Sequence, residues 1–331
     1  MTPNRHRDFA LDVWGVALLI PLAIAPLVTT NDMVASLTYQ SAIGVAAAMG
    51  VYIMLRLGLL SFTVPSFMAL GGYAGAMLAK SGTTELPALM AVAFVVPALV
   101  AIPLSALVLR LRGGSFIFIT FIFNEILQIL FFETPSLTGG ANGISGVPPA
   151  TFLKFGLVSN AAQVVVTVIV CAVASLATLA VTQRFRSEFT SIEENETLAE
   201  SLGVAVWKYR TIGYVASAGV SGLGGFALVN MLSTAHPSSF GSWSVNTYIA
   251  YVFIGGRGTM LGVVVGSILL VTMTDVFSGY ANLSGGLYGL LMVIVLLSAP
   301  GGIVGTCVRI AESRRRRGAA RTGATREGEV Q

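Results

Sequence analysis

The sequence predicts an all-α polytopic membrane protein with about ten transmembrane crossings in two inverted halves. Three observations lead there. The 331 residues are 55% hydrophobic and only 10% charged, with a mean hydropathy of +0.82. A soluble domain carries roughly 25% charged residues, and a soluble core of this size could not hide so much apolar surface. The apolar residues also run continuously, unlike the alternating segments of about ten residues in a transmembrane barrel. Finally, the basic residues sort to one side when the runs are threaded across a bilayer in turn.

The apolar runs are Leu11–Thr29, Met33–Leu55, Leu59–Ala79, Pro87–Leu109, Ser115–Phe132, Asn160–Thr182, Thr211–Leu232, Asn246–Ile254, Met260–Val276 and Gly286–Gly305. The first resembles a signal peptide but is too long for its apolar core, so it reads as an uncleaved span. With the N-terminus inside, Arg5, Arg7, Arg56, Arg110, Arg112, Arg184, Arg186, Lys208, Arg210, Arg257 and the tail fall inside, and Lys80 and Lys154 fall outside. The positive-inside rule predicts such a split, which puts both termini in the cytoplasm. Asn246–Ile254 is short of the roughly 20 residues a span needs. Gly255-Gly256-Arg257-Gly258 is therefore a candidate break within the membrane. The transmembrane domain is taken as residues 1–310, with a basic tail at 311–331 expected to be disordered; its arginines are a topological signal, not a nucleic-acid site.

Two apolar segments are punctuated by Gly and Pro: Gly58–Gly75 around Pro65, and Gly255–Gly266. They take comparable places in the two halves. Unwound backbone at membrane depth is tolerated where it is buried in protein or lines a cavity. Close helix packing through small-xxx-small pairs, Gly71–Gly75 and Gly262–Gly266, is the competing reading for each glycine. Glu133–Ser159 and Ser233–Val245 are the external loops. Glu125, beside Asn124, reads as an interhelical hydrogen-bond node or a solute contact.

Between two spans lies the longest strongly polar stretch before the tail, Gln183–Arg210. Thr190 or Ser191 is a candidate helix cap and Gly203 a stop, so a single acidic helix is expected around Ile192–Gly203. Leu198 and Leu202 share one face, flanked by Ala199 and Glu200. Glu193, Glu194 and Glu196 make the helix acidic, and it is built to be gripped from outside the membrane. A solvated loop is the alternative.

No Walker A loop, catalytic motif or Cys/His cluster is present. Gly222-Leu-Gly224-Gly225-Phe-Ala227 fits G-x-G-x-x-A but lies inside a span with no preceding strand. A chain with no energy source and a docking loop points to the membrane subunit of an ATP-driven transporter. A secondary carrier or channel is the reading from another class; it needs an ion site and a loop that tolerates mutation.

These features resemble the permease subunits of branched-chain amino-acid ABC importers, in particular the larger, M-type subunit. The family stretch G-x-x-S-L-G-H-A-x-F-x-x-x-G-A-Y is similar to GLLSFTVPSFMALGGY, matching at Gly58, Ser61, Phe67, Gly71 and Tyr73. L-R-G-x-Y-F-x-x-x-T-x-x-x-x-E resembles the run through Gly113, Phe116, Thr120 and Glu125. T-G-G-x-N-G-I matches Thr138 to Ile144, and R-F-G-R-x-x-x-A-I-R-E-N-E-x-x-A-x-x-x-G is similar to RFRSEFTSIEENETLAESLG. The Gly255–Gly262 and Pro300–Gly305 elements also match. Thr63-Val64-Pro65 stands where the family has Gly-His-Ala, Ser115 where it has Tyr, and Glu193 where it has Arg.

The resemblance implies a multi-pass protein of the bacterial inner membrane. It implies a second, shorter permease subunit, two cytoplasmic ATPases that bind the ATP and Mg, and a binding protein outside. The implied solute is a branched-chain amino acid; urea, short amides and aromatic acids are the alternatives within the family. It makes Ile192, Glu193, Glu194, Glu196, Leu198, Ala199, Leu202 and Gly203 the coupling helix, and Ser61, Thr63, Pro65, Ser115, Thr120 and Glu125 the candidate solute pathway. No cofactor is expected in this chain.

Overall fold

The computed structural model describes residues 5–28, 32–152, 155–156 and 160–278, and beyond them 286, 289–290, 292–294, 297 and 301–308. In order these form α1 (Arg5–Ala17), α2 (Leu19–Val28), α3 (Asp32–Leu55), α4 (Val64–Lys80), α5 (Leu86–Val108), α6 (Gly114–Glu133), α7 (Pro135–Thr138), β1 (Ile144–Ser145), β2 (Thr151–Phe152), β3 (Phe155–Gly156), α8 (Asn160–Arg184), α9 (Arg186–Glu194), α10 (Glu196–Ser201), α11 (Val206–Leu232), β4 (Thr234–Ala235), α12 (Trp243–Gly255) and α13 (Met260–Ser278). Among the described residues six helices, α3, α5, α6, α8, α11 and α13, are long and apolar enough to cross a membrane. The chain is an all-α polytopic membrane protein.

Three expected spans differ from the prediction. Leu11–Thr29 is divided at Leu18 into α1 and α2. Leu59–Ala79 becomes helical only at Val64, after a non-helical run from Arg56. Asn246–Ile254 is the 13-residue α12, which stops where Gly256 takes φ +120. Of Gly286–Gly305, residues 302–305 and several earlier positions are helical, and the rest lie outside the described residues. The basic tail at 311–331 and Lys154 also lie outside them.

α11 is the centre of the bundle and packs on α3, α4, α5 and α8. Its small residues allow this. A Cβ on Gly225 would overlap the Met68 carbonyl of α4, and one on Gly71 would overlap the backbone of Gly222. On the other side, a Cβ on Gly222 would overlap the Ala93 carbonyl of α5. Helices in lipid gain by such close approach, since no hydrophobic force drives them together. The G-x-G-x-x-A run is thus buried between neighbouring helices. Ser217 Oγ adds a hydrogen bond to the Gly50 carbonyl of α3 at 2.8 Å.

α6 has one buried face, Phe116, Thr120, Asn124, Leu127 and Phe131, spaced at three or four residues along the helix. Its other face exposes Phe118, Ile122, Ile126 and Ile129.

At one end of the bundle the two predicted external loops are joined. β1 pairs antiparallel with β4, Ile144 opposite Ala235. The ring Nε2 of His236 lies 2.8 Å from the Ala141 carbonyl oxygen. Tyr73 of α4 stacks on Phe131 with Phe240 beside it, which seats this cap on the bundle. At the opposite end Arg56, Arg112, Arg186, Arg210 and Arg257 surround the 183–210 loop.

Candidate coupling loop and translocation segment

The acidic loop holds two short helices, not one. α9 ends at Glu194, Asn195 turns the chain with φ −159 and ψ 103, and α10 begins at Glu196. The Asn195 side-chain oxygen accepts from Leu198 N at 3.0 Å. Asn195 is therefore the cap, and Thr190 and Ser191, named as candidates, lie inside α9. Ser, Thr, Asp and Asn all cap well, but only one of them stands directly before the turn that starts here. Gly203 ends the loop with φ +88, a conformation that favours glycine.

The apolar residues of the loop divide by face. Phe189, Ile192 and Ala199 are buried against the bundle. Leu198 and Leu202 are 55% and 76% exposed. Ile192 and Ala199 therefore belong to the anchor of the loop, and Leu198 and Leu202 to its free surface. Trp207, which the sequence reading did not single out, is also exposed just beyond it.

The glutamates divide too. Three of them, expected to face a partner, are paired within the chain. Glu193 lies 3.4 Å from Arg56, Glu196 is held by Arg210 and Arg112, and Glu200 lies 3.5 Å from Arg112. Their arginines come from the α3–α4 and α5–α6 connections and from α11, so sequence distance hid the pairs. Burial pushes the Glu193 carboxyl up, against the pull of Arg56 and Arg257. Glu194 stays exposed.

α9 rests directly on the non-helical run before α4. Arg56 Nη2 donates to Thr190 Oγ1 at 3.4 Å. Leu57 is fully buried, and Gly213 of α11 fits between its side chain and Phe189 of α9. Gly58 takes φ +70, and a Cβ there would sit 3.7 Å from Glu193 Cα. The chain then reaches a hydroxyl cluster. Ser61 Oγ and Thr63 Oγ1 are 2.8 Å apart, and Thr63 N donates to Ser61 Oγ at 3.3 Å. Phe62 N donates to Thr120 Oγ1 of α6 at 3.2 Å. Pro65 lies in the first turn of α4, where its missing N–H costs no helical bond.

Of the six pathway candidates the structure brings together Ser61, Thr63, Pro65 and Thr120, all buried. Ser115 is apart from them, exposed at the start of α6. Glu125 is partly exposed, one step around the helix from the buried face, and makes no hydrogen bond or ion pair among the described residues. The interhelical node is its neighbour Asn124. Asn124 Oδ1 accepts from Ser66 of α4 at 2.5 Å, and its amide nitrogen donates to Ser242, which precedes α12. The helical period held the signal, because Asn124 shares a face with Thr120 and Glu125 does not.

The comparisons with known proteins follow the same lines. The family model described as the permease component of the branched-chain amino acid transport system matches residues 33–296. The chain is 26% identical over 314 residues to the high-affinity branched-chain amino acid transport system permease protein LivM of Escherichia coli (strain K12), across 87% of this chain and 74% of that protein. It is 25% identical to the LivM protein of Salmonella typhimurium over the same shares. No solved structure matches.

Proposed function

The chain belongs to the branched-chain amino acid transport permease family, and from that membership we propose that it is the larger membrane subunit of an ATP-driven importer for branched-chain amino acids. It pairs with a shorter permease subunit in a bacterial inner membrane. Two cytoplasmic ATPases supply the energy, and a binding protein delivers solute from outside. The chain itself catalyses no reaction, and the ATP and Mg belong to its partners. Both termini and the 183–210 loop face the cytoplasm, in keeping with the arginines gathered at that end.

One observation carries the reading: the loop is clamped to the bundle on one face and presents two bare leucines on the other. α9 and α10 are fixed through Phe189, Ile192, Ala199 and the ion pairs of Glu193 and Glu196. Leu198 and Leu202 stand free at the bundle end where no lipid is expected. A few buried apolar anchors carry most of the energy of a typical interface. A rigid base with an apolar tip suits a part that must be pushed by an ATPase and must push the spans in turn.

The test is reconstitution of all subunits in vesicles, with solute-stimulated ATP hydrolysis and uptake read together. Leu202→Asp and Gly203→Asp are expected to leave the protein inserted and the binding protein functional while ATP hydrolysis and uptake separate. Normal transport by both variants would make the loop a solvated connection and favour a carrier that works without an ATPase.

A further inference from the structure

Resting on the reading of the 183–210 loop as the ATPase contact, we infer that Arg112, with Glu196 and Glu200 of α10, forms the link through which that loop moves α6. The Glu196 carboxylate is shared between two arginines of different character. Arg210 of α11 holds it with a two-pronged grip, Nη1 to Oε1 at 2.7 Å and Nη2 to Oε2 at 2.8 Å. That guanidinium is buried, and its Nε has no hydrogen-bond partner among the described residues. Arg210 therefore depends on Glu196 for its neutralisation, and this arm fixes α10 to the central helix. Arg112 reaches the same Oε1 at 3.3 Å and Glu200 Oε1 at 3.5 Å, with its side chain 61% exposed. This second arm is free to form and break.

Arg112 is placed to steer α6. It stands two residues before Gly114, the first residue of that helix. Between them Gly113 takes φ 59 and ψ −134, which turns the chain from the ion pair straight into the helix. α6 is lightly held, since one of its faces is bare, exposing Phe118, Ile122, Ile126 and Ile129. Among the described residues its side chains bond to Phe62, Ser66 and Ser242, at or beside the broken segments. A shift at Arg112 therefore reaches the hydroxyl cluster along one rigid helix.

An ion pair as exposed as Arg112 with Glu200 contributes little in water. Leu198 lies on the same short helix as Glu200, and Leu202 is its C-terminal cap. A partner seated on them excludes water from Glu200 and Arg112, and the attraction grows as the local dielectric falls. The link is weak in the free subunit and strong when the ATPase is docked, as a coupling element requires and a folding element does not.

The experiment uses the complete transporter in vesicles, with uptake per ATP hydrolysed as the readout. Arg112→Gln is expected to keep the ATPases bound and their solute stimulation within about twofold of wild type, and to lower uptake per ATP by about tenfold, a coupling of ordinary size. Arg112→Glu lowers it further, and the exchanged pair Arg112→Glu with Glu200→Arg recovers at least half of the wild-type ratio. Wild-type uptake per ATP in Arg112→Gln, or no recovery in the exchanged pair, overturns the link. A lower melting temperature with an unchanged ratio assigns the pair to folding and overturns it too. Leu202→Asp separates the two claims: if it keeps the ATPases bound and transports normally, the docking reading itself fails, whereas loss of the ATPases there beside a normal ratio in Arg112→Gln removes only the link.

Discussion

Two of the breaks between helices near the arginine-rich end of the bundle, the one before α4 and the one after α12, are built from different materials. After α12 the chain closes glycine on glycine. A Cβ on Gly262 would overlap the Gly256 carbonyl, and one on Gly266 would overlap that of Tyr251. Before α4 the chain is held by hydroxyls and by α9: Ser61 and Thr63 bond each other, Thr120 Oγ1 accepts from Phe62 N, and Leu57 and Phe189 close on Gly213 from two sides. Backbone packed on backbone cannot slide without opening a void, which interiors resist. A hydroxyl cluster can trade one partner for another at little net change. The two breaks look alike as runs of Gly and Pro in the sequence, yet one is a weld and the other a joint.

The weld is where the largest effect is expected. Gly262→Leu forces a side chain into the α12 backbone, and overpacking a filled site costs about 1–3 kcal/mol, occasionally more. We expect the upper end, seen as loss of monodisperse protein and a lowered Tm in detergent. Gly58→Ala at the joint meets only open van der Waals contact with Glu193 and pays for its positive φ, roughly 1–2 kcal/mol. A Gly58→Ala protein less stable than Gly262→Leu would reverse the assignment of weld and joint.

The next effect sharpens what the joint does. Ser61→Ala takes a partner from both the hydroxyl and the N–H of Thr63. Leaving such buried groups unsatisfied costs about 1–3 kcal/mol. The protein is expected to insert with a modestly lower Tm while uptake into vesicles drops several-fold, about what that energy amounts to if it falls on the transport cycle. Full uptake at the lowered Tm would separate the cluster from the solute path. The smallest effect is expected at Ser115, exposed and away from the cluster. Ser115→Ala should change stability by no more than about 0.5 kcal/mol and leave uptake at the wild-type rate.

The spans were the legible part of the sequence, because continuous apolar runs set α3, α5, α6, α8 and α11 to within a few residues of their expected limits. The start of α4 was legible in part: Gly58 and Pro65 marked the segment as broken, but the contacts that seat it, with Thr120 and with α9, come from residues distant in sequence. Leu198 and Leu202, four apart, are both exposed, as a shared outer face requires. The glutamates misled: their roles are set by Arg56, Arg112 and Arg210, which only the fold brings near. The same holds for β1 and β4, whose pairing joins loops that the sequence presents as separate. Asn195 was readable as a cap, being an Asn directly before a helical stretch, and Thr190 and Ser191 merely competed for the same signal.

The central claim is that α9 and the joint before α4 move together, so that a push on the loop becomes a rearrangement of the hydroxyl cluster. Cross-linking tests it most directly. In a background where Cys171 and Cys307 are replaced, Gly58→Cys with Glu193→Cys places two thiols where a Cβ at 58 already lies 3.7 Å from the backbone of 193. With one C–C bond added, the two Cα atoms lie no more than about 5.3 Å apart, inside the roughly 4.4–6.8 Å spacing of disulfides. Uptake per ATP would be measured in vesicles containing all subunits, before and after oxidation and again after reduction. The account predicts the same ratio in the oxidised and reduced states, because the bond joins parts that travel as one. Transport that stops on oxidation and returns on reduction would mean that the loop and the segment slide past each other, and would contradict it.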